Sequence, residues 1–237
     1  MTTPYSTTTT PASTTPPARF LLLGDSHAGP IGRAAKDAGI PFSGGPIGAG
    51  RDFNADFFDV REGDVVFRKP QADAYYRGFL TELNTAGLDR LTVPLVATFG
   101  FSAHFIATTQ NWHLYRTRDG GFPPGFLTGS LFDAVVRATV RDALAFYAHA
   151  RALGLRVLAV MGPQRVPSFS DPVVFRAAQD VVRGALAETG VEVVDLRSRV
   201  TGEDGFQRPE LCESNDVIHG NLAFGRMIVT ELLERGL

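Results

Sequence analysis

The sequence predicts a single α/β domain in which a parallel β-sheet of about five strands is covered by helices on both faces. The first observation is that short apolar runs alternate with longer amphipathic stretches along the chain, as expected for buried parallel strands joined by helices. The second is that no internal repeat or linker divides the 237 residues. A content of 44% hydrophobic and 20% charged residues is typical of one globular domain with a buried core.

The predicted strands are apolar runs rich in leucine and β-branched residues. They lie at 19–24 (RFLLLG), 64–69 (DVVFRK), 92–100 (TVPLVATFG), 155–162 (LRVLAVMG) and 191–196 (VEVVDL), with IPFSGG at 40–45 as a further short candidate. Because parallel strands need crossover connections, helices are expected between them.

The predicted helices place apolar residues three and four positions apart, and most end at a glycine, the usual residue after a helix. They lie at 71–87, 130–154, 171–190 and 220–237, and one more begins at Gly29 and Pro30 after the first strand. The stretch 116–129 is rich in glycine and proline without periodicity, which predicts a long loop. Two interpretations stay open for it: a lid over a site, or a surface excursion.

Composition excludes several classes of protein. The formal net charge of −2 gives no indication of a nucleic-acid or anionic-membrane partner, since both require a basic face. Cys212 is the only cysteine, so an intrachain disulfide or a cysteine-based metal site is impossible. The five histidines show no metal-ligand spacing, and we expect neither a metal nor a cofactor. No apolar run approaches the roughly 18 residues of a membrane span.

The first 18 residues differ in composition from the rest of the chain. Thr, Pro and Ser dominate residues 1–18, and such a segment buries too little apolar surface to fold. It also lacks the basic and apolar regions of a secretory signal. We therefore expect a disordered tail at 1–18, a folded domain at 19–237 and a cytoplasmic location.

A serine follows the first predicted strand. Ser26 stands in LLLGDSH, and the carboxyl ends of parallel strands are where ligands bind in such sheets. The free N–H groups at the start of the next helix can stabilise an anion there. Ser26 is therefore a candidate nucleophile whose own amide assists an oxyanion. The alternative is that its side chain caps the helix.

An aspartate and a histidine lie close together near the end of the chain. Asp216 precedes His219 by three residues in NDVIHGN, between the last strand and the last helix. A serine hydroxyl needs a neighbouring base, which must itself be oriented by a third group. The two residues can supply that base and its partner to Ser26. The alternative is an exposed turn at a helix start.

LLGDSH and DVIHGN resemble the first and last sequence blocks of the SGNH (GDSL-type) hydrolases. These are α/β esterases, lipases and acyl- or carbohydrate-ester enzymes of flavodoxin-like topology. The resemblance implies that Ser26 is the nucleophile, that Asp216 and His219 complete a catalytic triad, and that no cofactor is required. His27 stands where the family usually has leucine.

The two middle blocks of the family imply the oxyanion donors. One is a glycine N–H after the second strand, for which we expect Gly48 among the glycines of 43–54. The other is an asparagine side chain, at whose position the sequence FGFSAHF has Ser102, with His104 nearby. Loss of one such donor typically costs roughly 10²–10³ in rate, so this departure bears directly on activity.

Trp112 and Arg165 are the candidate substrate-binding residues. Trp112 follows the third block and could line an acyl or sugar pocket, and Arg165 follows the fourth strand and could meet an anionic group. The alternatives are a core aromatic residue and a solvated loop arginine.

Together these patterns predict a serine-dependent ester hydrolase acting on an acylated small molecule or carbohydrate. Two alternatives stay open: an O-acyltransferase that uses the same triad on a sugar or metabolite hydroxyl, and a catalytically silent binding domain of the same fold. The sequence carries no signal for oligomeric state.

Overall fold

The computed structural model describes residues 17–237, so residues 1–16 of the predicted tail lie outside the described residues. Its strands are β1 (Leu21–Gly24), β2 (Ser43–Pro46), β3 (Phe58–Arg61), β4 (Asp64–Phe67), β5 (Leu95–Ala97), β6 (Val157–Val160) and β7 (Glu192–Val194). Its α-helices are α1 (Ala28–Asp37), α2 (Pro70–Glu82), α3 (Ala103–Ile106), α4 (Thr109–Trp112), α5 (Ser130–Thr139), α6 (Arg141–Ala152), α7 (Pro172–Glu188), α8 (Arg197–Val200) and α9 (Leu222–Glu234).

Five of these strands form one parallel sheet, and the predicted fold class is confirmed. The strands lie in the order β2-β1-β5-β6-β7, and each neighbouring pair is parallel. Counted along the main sheet, this is the flavodoxin-like order 2-1-3-4-5, and the point at which the strand order reverses lies beside β1. All carboxyl ends therefore meet at one edge of the sheet, where loops can share a site.

Side chains of the central strands alternate between two apolar layers, because successive residues of a strand point to opposite faces. In β1, Leu21 and Leu23 join the layer that packs against α2, α5, α6 and α7. Leu22 joins the layer that packs against α1 and α9. Every residue of β1 is buried. The sheet is thus covered on both faces, as the amphipathic helices predicted.

One predicted strand lies outside the main sheet. The run 64–69 was expected in the parallel sheet, but β4 pairs antiparallel with β3 in a separate two-stranded hairpin. The short run at 40–45 instead supplies the edge strand β2. Only two residues, Glu62 and Gly63, connect β3 and β4, and a glycine-containing connection of that length is a hairpin signal. That connection is the sequence feature that indicates the correct pairing.

One predicted helix is divided in two. The stretch 130–154 was expected as a single helix, but α5 ends at Thr139 and α6 begins at Arg141. Val140 between them has φ −108° and ψ 17°, outside the helical range. Thr139 and Val140 are both β-branched, which disfavours the helix, and the Thr139 hydroxyl donates to the Val135 carbonyl.

In residues 17–237, no helix has the length and apolar content that crossing a bilayer requires.

Candidate active site

Ser26 lies in the tight turn between β1 and α1. The turn is closed by backbone bonds from the amides of Ala28 and Gly29 to the carbonyls of Asp25 and Ser26. His27, and not Ser26, is the residue at the N-cap of α1. The Ser26 hydroxyl instead lies 2.7 Å from His219 Nε2. The helix-cap role considered for the serine side chain is therefore absent from this turn.

Asp216 and His219 lie on one loop that precedes α9. Asp216 Oδ1 accepts the amides of Ile218 at 2.6 Å and His219 at 2.7 Å, so the carboxylate folds back over its own turn. Asp216 Oδ2 lies 2.6 Å from His219 Nδ1. Because a carboxylate only accepts, Nδ1 carries the proton and Nε2 is left to accept from the Ser26 hydroxyl.

The charge on Asp216 is maintained by its hydrogen bonds. Burial by itself would raise the pKa of this carboxyl, but the His219 imidazole and the amides of Ile218 and His219 lower it to about 2. The group is therefore a carboxylate over the whole neutral range. A fixed negative charge beside Nδ1 orients the imidazole.

Asp25 was not singled out from the sequence, but it organises the floor of the site. Its carboxylate is buried and accepts the Thr98 hydroxyl at 2.9 Å, the His27 amide at 3.0 Å and the Ser102 hydroxyl at 2.5 Å. A buried carboxylate without a cation requires such donors. The signal that could have found it is its place beside Ser26, at the carboxyl end of the first strand.

The expected role of Ser102 as an oxyanion donor is not supported by this geometry. A serine hydroxyl carries one proton, and that of Ser102 is directed to Asp25 Oδ2. Ser102 therefore links the turn after β5 to the turn that holds Ser26. The position of the third block therefore carries a polar side chain whose partner is the Asp25 carboxylate.

The loop after β2 contains the expected glycine donor, but the contacts favour a different glycine. Gly50 lies against Ser102 and Asp25, so closely that a Cβ there would be 2.2 Å from the Ser102 hydroxyl. Gly48 lies against the side chains of Phe53 and Asp52. Within residues 17–237, the amides of Gly48, Gly50 and Ser26 have no protein acceptor. Gly50 is thus the better placed of the two beside the Ser26 turn.

His27 and His104 form a buried pair next to His219. The His27 ring centroid lies 5.1 Å from that of His219 and 6.3 Å from that of His104. Among the described residues, His27 Nδ1 and His104 Nε2 have no hydrogen-bond partner. Burial lowers the pKa of both imidazoles, that of His104 to about 4, and the neighbouring His27 adds to this effect. Both rings are therefore neutral at pH 7.

Trp112 belongs to the core, and its burial does not favour the expected place in a substrate pocket. The side chain is buried, its Nε1–H donates to the Ile106 carbonyl at 2.7 Å, and its ring packs on Phe132 with centroids 4.9 Å apart. With the indole N–H used and the side chain buried, the contacts leave little of Trp112 for a ligand.

Arg165 also differs from its expected role. Its guanidinium donates to the backbone carbonyls of Glu213 and His219 at 2.9 and 2.7 Å, and to that of Asp216. The arginine thus reaches the end of the sheet that was predicted, but it binds the loop that carries Asp216 and His219.

Comparisons with known proteins bear on the fold. No protein-family model matches the chain, and no curated protein matches it. A solved structure from Streptococcus pneumonia, described as a candidate platelet activating factor, is 13% identical over 94% of this chain and 86% of that chain, with a TM-score of 0.50. A GDSL-like lipase from Bacteroides thetaiotaomicron is 14% identical over 92% and 89%, with a TM-score of 0.48. A candidate SGNH hydrolase from Slackia heliotrinireducens is 15% identical over 92% and 98%, with a TM-score of 0.49.

At such identities a structural likeness shows the fold alone. The strand order and the helices on both faces define a doubly wound α/β protein. The likeness to the Streptococcus pneumonia structure, at a TM-score of 0.50, agrees with this fold.

Proposed function

We propose that this protein is a serine-dependent hydrolase of small carboxylic esters. The observation that carries the proposal is the continuous hydrogen-bond chain from Asp216 through His219 to Ser26, with links of 2.6 and 2.7 Å. Such a chain activates a hydroxyl that is otherwise a weak nucleophile. Its members come from the two ends of the chain and meet at the carboxyl edge of the sheet, where α/β proteins bind ligands.

In the proposed reaction, Ser26 Oγ forms a bond to the ester carbonyl carbon while its proton passes to His219 Nε2. The tetrahedral intermediate collapses when the bond to the alcohol oxygen breaks and His219 gives that oxygen the proton. Water then attacks the acyl-enzyme, and its proton passes to His219. The bond from carbon to Ser26 Oγ breaks, and His219 returns the proton to Oγ.

The negative oxygen of the intermediate needs donors that are already in place. The free amide of Ser26 and that of Gly50, or Gly48 as the sequence suggested, are the proposed donors. Since the Ser102 proton is used by Asp25, the His104 imidazole is the remaining candidate for a side-chain donor. Its buried Nε2 without a partner supports this assignment.

A fluorophosphonate probe, which reacts with activated serines, tests the proposal. Wild-type protein is expected to be labelled at Ser26 and to hydrolyse p-nitrophenyl acetate. Ser26→Ala should lose the label and reduce kcat by at least about 10⁴-fold. Ser198→Ala, which alters an exposed serine of α8, should behave as wild type. A folded wild-type protein that takes no label and turns over no faster than Ser26→Ala would show a silent binding domain instead.

A further inference from the structure

Three backbone carbonyls of the loop before α9 converge on one guanidinium. Glu213, Asp216 and His219 lie within seven residues of one another, and each directs its carbonyl oxygen to Arg165. Arg165 lies in the loop after β6 and is separated from them by 48 to 54 residues of sequence. Backbone carbonyls turned away from water need donors, and the planar fork of arginine supplies several donors at once.

Bonds inside this loop define its shape but not its position on the sheet. The Glu213 amide donates to the His219 carbonyl, and Asp216 Oδ1 accepts two amides of its own turn. All of these partners move together if the loop moves. Arg165 differs because it lies outside the loop, five residues after the end of β6. Next to it, the Gln164 amide donates to the Gln207 side chain at 3.0 Å. Arg165 thus connects the loop to the segment that follows β6.

Among residues 17–237, Arg165 forms no ion pair with a carboxylate and binds the loop through backbone oxygens. Arg33 binds the same loop through a carboxylate side chain. Arg33 forms an ion pair with the Glu213 side chain at 2.9 Å, and both side chains are about half exposed. An exposed ion pair contributes little to the free energy of unfolding. Arg33 and Arg165 therefore give a matched pair: one binds the loop by an exposed side chain, the other by three backbone oxygens.

We propose that Arg165 is a positioning residue that holds His219 Nε2 within hydrogen-bond distance of the Ser26 hydroxyl. This inference rests on the proposed function, because it concerns the same Ser26–His219 pair. The nitrogen of the base must lie within about 2.6–3.2 Å of the oxygen whose proton it takes. A displacement of about 1 Å can cost about 10²-fold in rate, so release of the loop from Arg165 should lower kcat.

The kinetic test compares Arg165→Ala, Arg165→Lys and Arg33→Ala with p-nitrophenyl acetate. Arg165→Ala should reduce kcat by about 10²-fold with KM changed little. Arg165→Lys should fall between wild type and Arg165→Ala, because an ammonium offers a charge but not the fork that spans three carbonyls. Arg33→Ala should retain wild-type kcat. If Arg165→Ala does not fold, Arg165→Lys decides the question by the same separation of kcat from KM.

A spectroscopic measurement follows the loop itself. The His219 Nδ1 proton, bonded to Asp216, should give a strongly downfield proton resonance in the NMR spectrum, which His219→Gln assigns by its loss. In Arg165→Ala this resonance should broaden or disappear, because the orientation of the ring is no longer maintained. It should persist in Arg33→Ala. A purely structural effect on the global fold would lower the melting temperature of Arg165→Ala without this selective loss of the resonance.

Two results would overturn the proposal. One is an Arg165→Ala variant with wild-type kcat and an intact downfield resonance. The other is a variant that raises KM only for an anionic ester, such as mono-p-nitrophenyl succinate, which would make Arg165 a substrate-binding residue. Failure of the proposed hydrolase function is distinguishable from both outcomes, since wild-type protein would then show no Ser26 label at all.

Discussion

Ser102 and His104 lie two residues apart after β5, yet their surroundings differ. The Ser102 hydroxyl is fully used by the buried Asp25 carboxylate. The His104 imidazole is packed near His27 and Phe105, and its Nε2 has no partner among the described residues. A polar atom of this kind in a native protein calls for a ligand, a water or a functional role. At the residue scale, the contacts therefore favour a stabilising role for Ser102 and leave His104 as the proposed side-chain donor.

Ser102→Ala should reduce stability more than activity. It removes one of three donors from a carboxylate that is 1% exposed, which should lower the free energy of unfolding by about 1–3 kcal/mol. The rate of fluorophosphonate labelling should fall by less than the roughly 10²-fold expected for an oxyanion donor. Urea unfolding and labelling measure the two effects, with Ser198→Ala as the control. A large loss of labelling at unchanged stability would instead identify Ser102 as an oxyanion donor.

His104 should make stability depend on pH. Burial and the neighbouring His27 hold its folded-state pKa at about 4, below its ordinary 6.5, while the carboxylates of Asp25 and Asp216 partly oppose this. As pH falls from about 6.5 to about 4, the unfolded chain binds the proton first. The free energy of unfolding should therefore fall over that window, by up to about 3 kcal/mol.

The His104 effect can be isolated by substitution. His104→Gln should flatten the dependence of the unfolding free energy on pH between about 6.5 and about 4, and His113→Gln, at an exposed histidine, should leave it unchanged. His27, whose pKa is also lowered by burial, should account for a remaining slope. An identical slope in wild type and His104→Gln would contradict the prediction.

At the scale of elements, one arginine attaches the loop 116–129 to a helix. Asp171 is the N-cap of α7, where Oδ1 accepts the amides of Val173 and Val174. Its Oδ2 accepts the guanidinium of Arg116, which also lies over the Phe122 ring at 4.7 Å. The loop that the sequence left open as a lid or an excursion is therefore held at its first residue by the cap of a long helix.

Asp171→Asn should separate these two functions. Asparagine keeps the cap, since it is as good an N-cap as aspartate, but it removes the charge that Arg116 binds. The free energy of opening the loop should fall by about 1–2 kcal/mol. Trypsin should therefore cleave faster after Arg118, while the melting temperature changes little. Asp133→Asn, at an exposed ion pair on α5, should not affect cleavage. Equal cleavage rates in the two variants would show that the ion pair does not restrain the loop.

At the scale of the whole molecule, one helix pair brings the two ends of the chain together. α1 begins two residues after Ser26, and α9 begins three residues after His219. The two helices pack side by side in the apolar layer that contains Ile31 and Ile228. The Ser26–His219 bond, which spans 193 residues of sequence, therefore depends on this packing.

Gly225 allows these two helices to pack closely. A Cβ there would be 2.2 Å from the Pro30 carbonyl oxygen, so Gly225→Ala should push α9 away from α1. We expect a loss of about 1–3 kcal/mol in unfolding free energy together with slower labelling of Ser26. Gly184→Ala, in α7 where a Cβ would meet nothing within 4 Å, should instead be neutral or stabilise by about 0.5–1 kcal/mol. Similar effects in both variants would contradict the predicted role of this contact.

The sequence by itself determined the fold class and three residues of the candidate site. Alternating strand and helix patterns are local properties, so the parallel sheet could be predicted from them. Ser26 could be identified because its position at a strand end is visible in a few residues. Asp216 and His219 could be identified because they are three positions apart on one turn, where their geometry is local too.

Only the tertiary structure decided the partners of single side chains. Trp112 donates to Ile106 and packs on Phe132, and Arg165 binds carbonyls 48 to 54 residues away. The Ser102 proton goes to Asp25, 77 residues earlier in the chain. No residue pattern encodes these choices, because each depends on which atoms the packed layers bring within hydrogen-bond distance. Where a donor is directed, and hence whether a polar residue binds a ligand or the protein itself, is decided by contacts between distant segments.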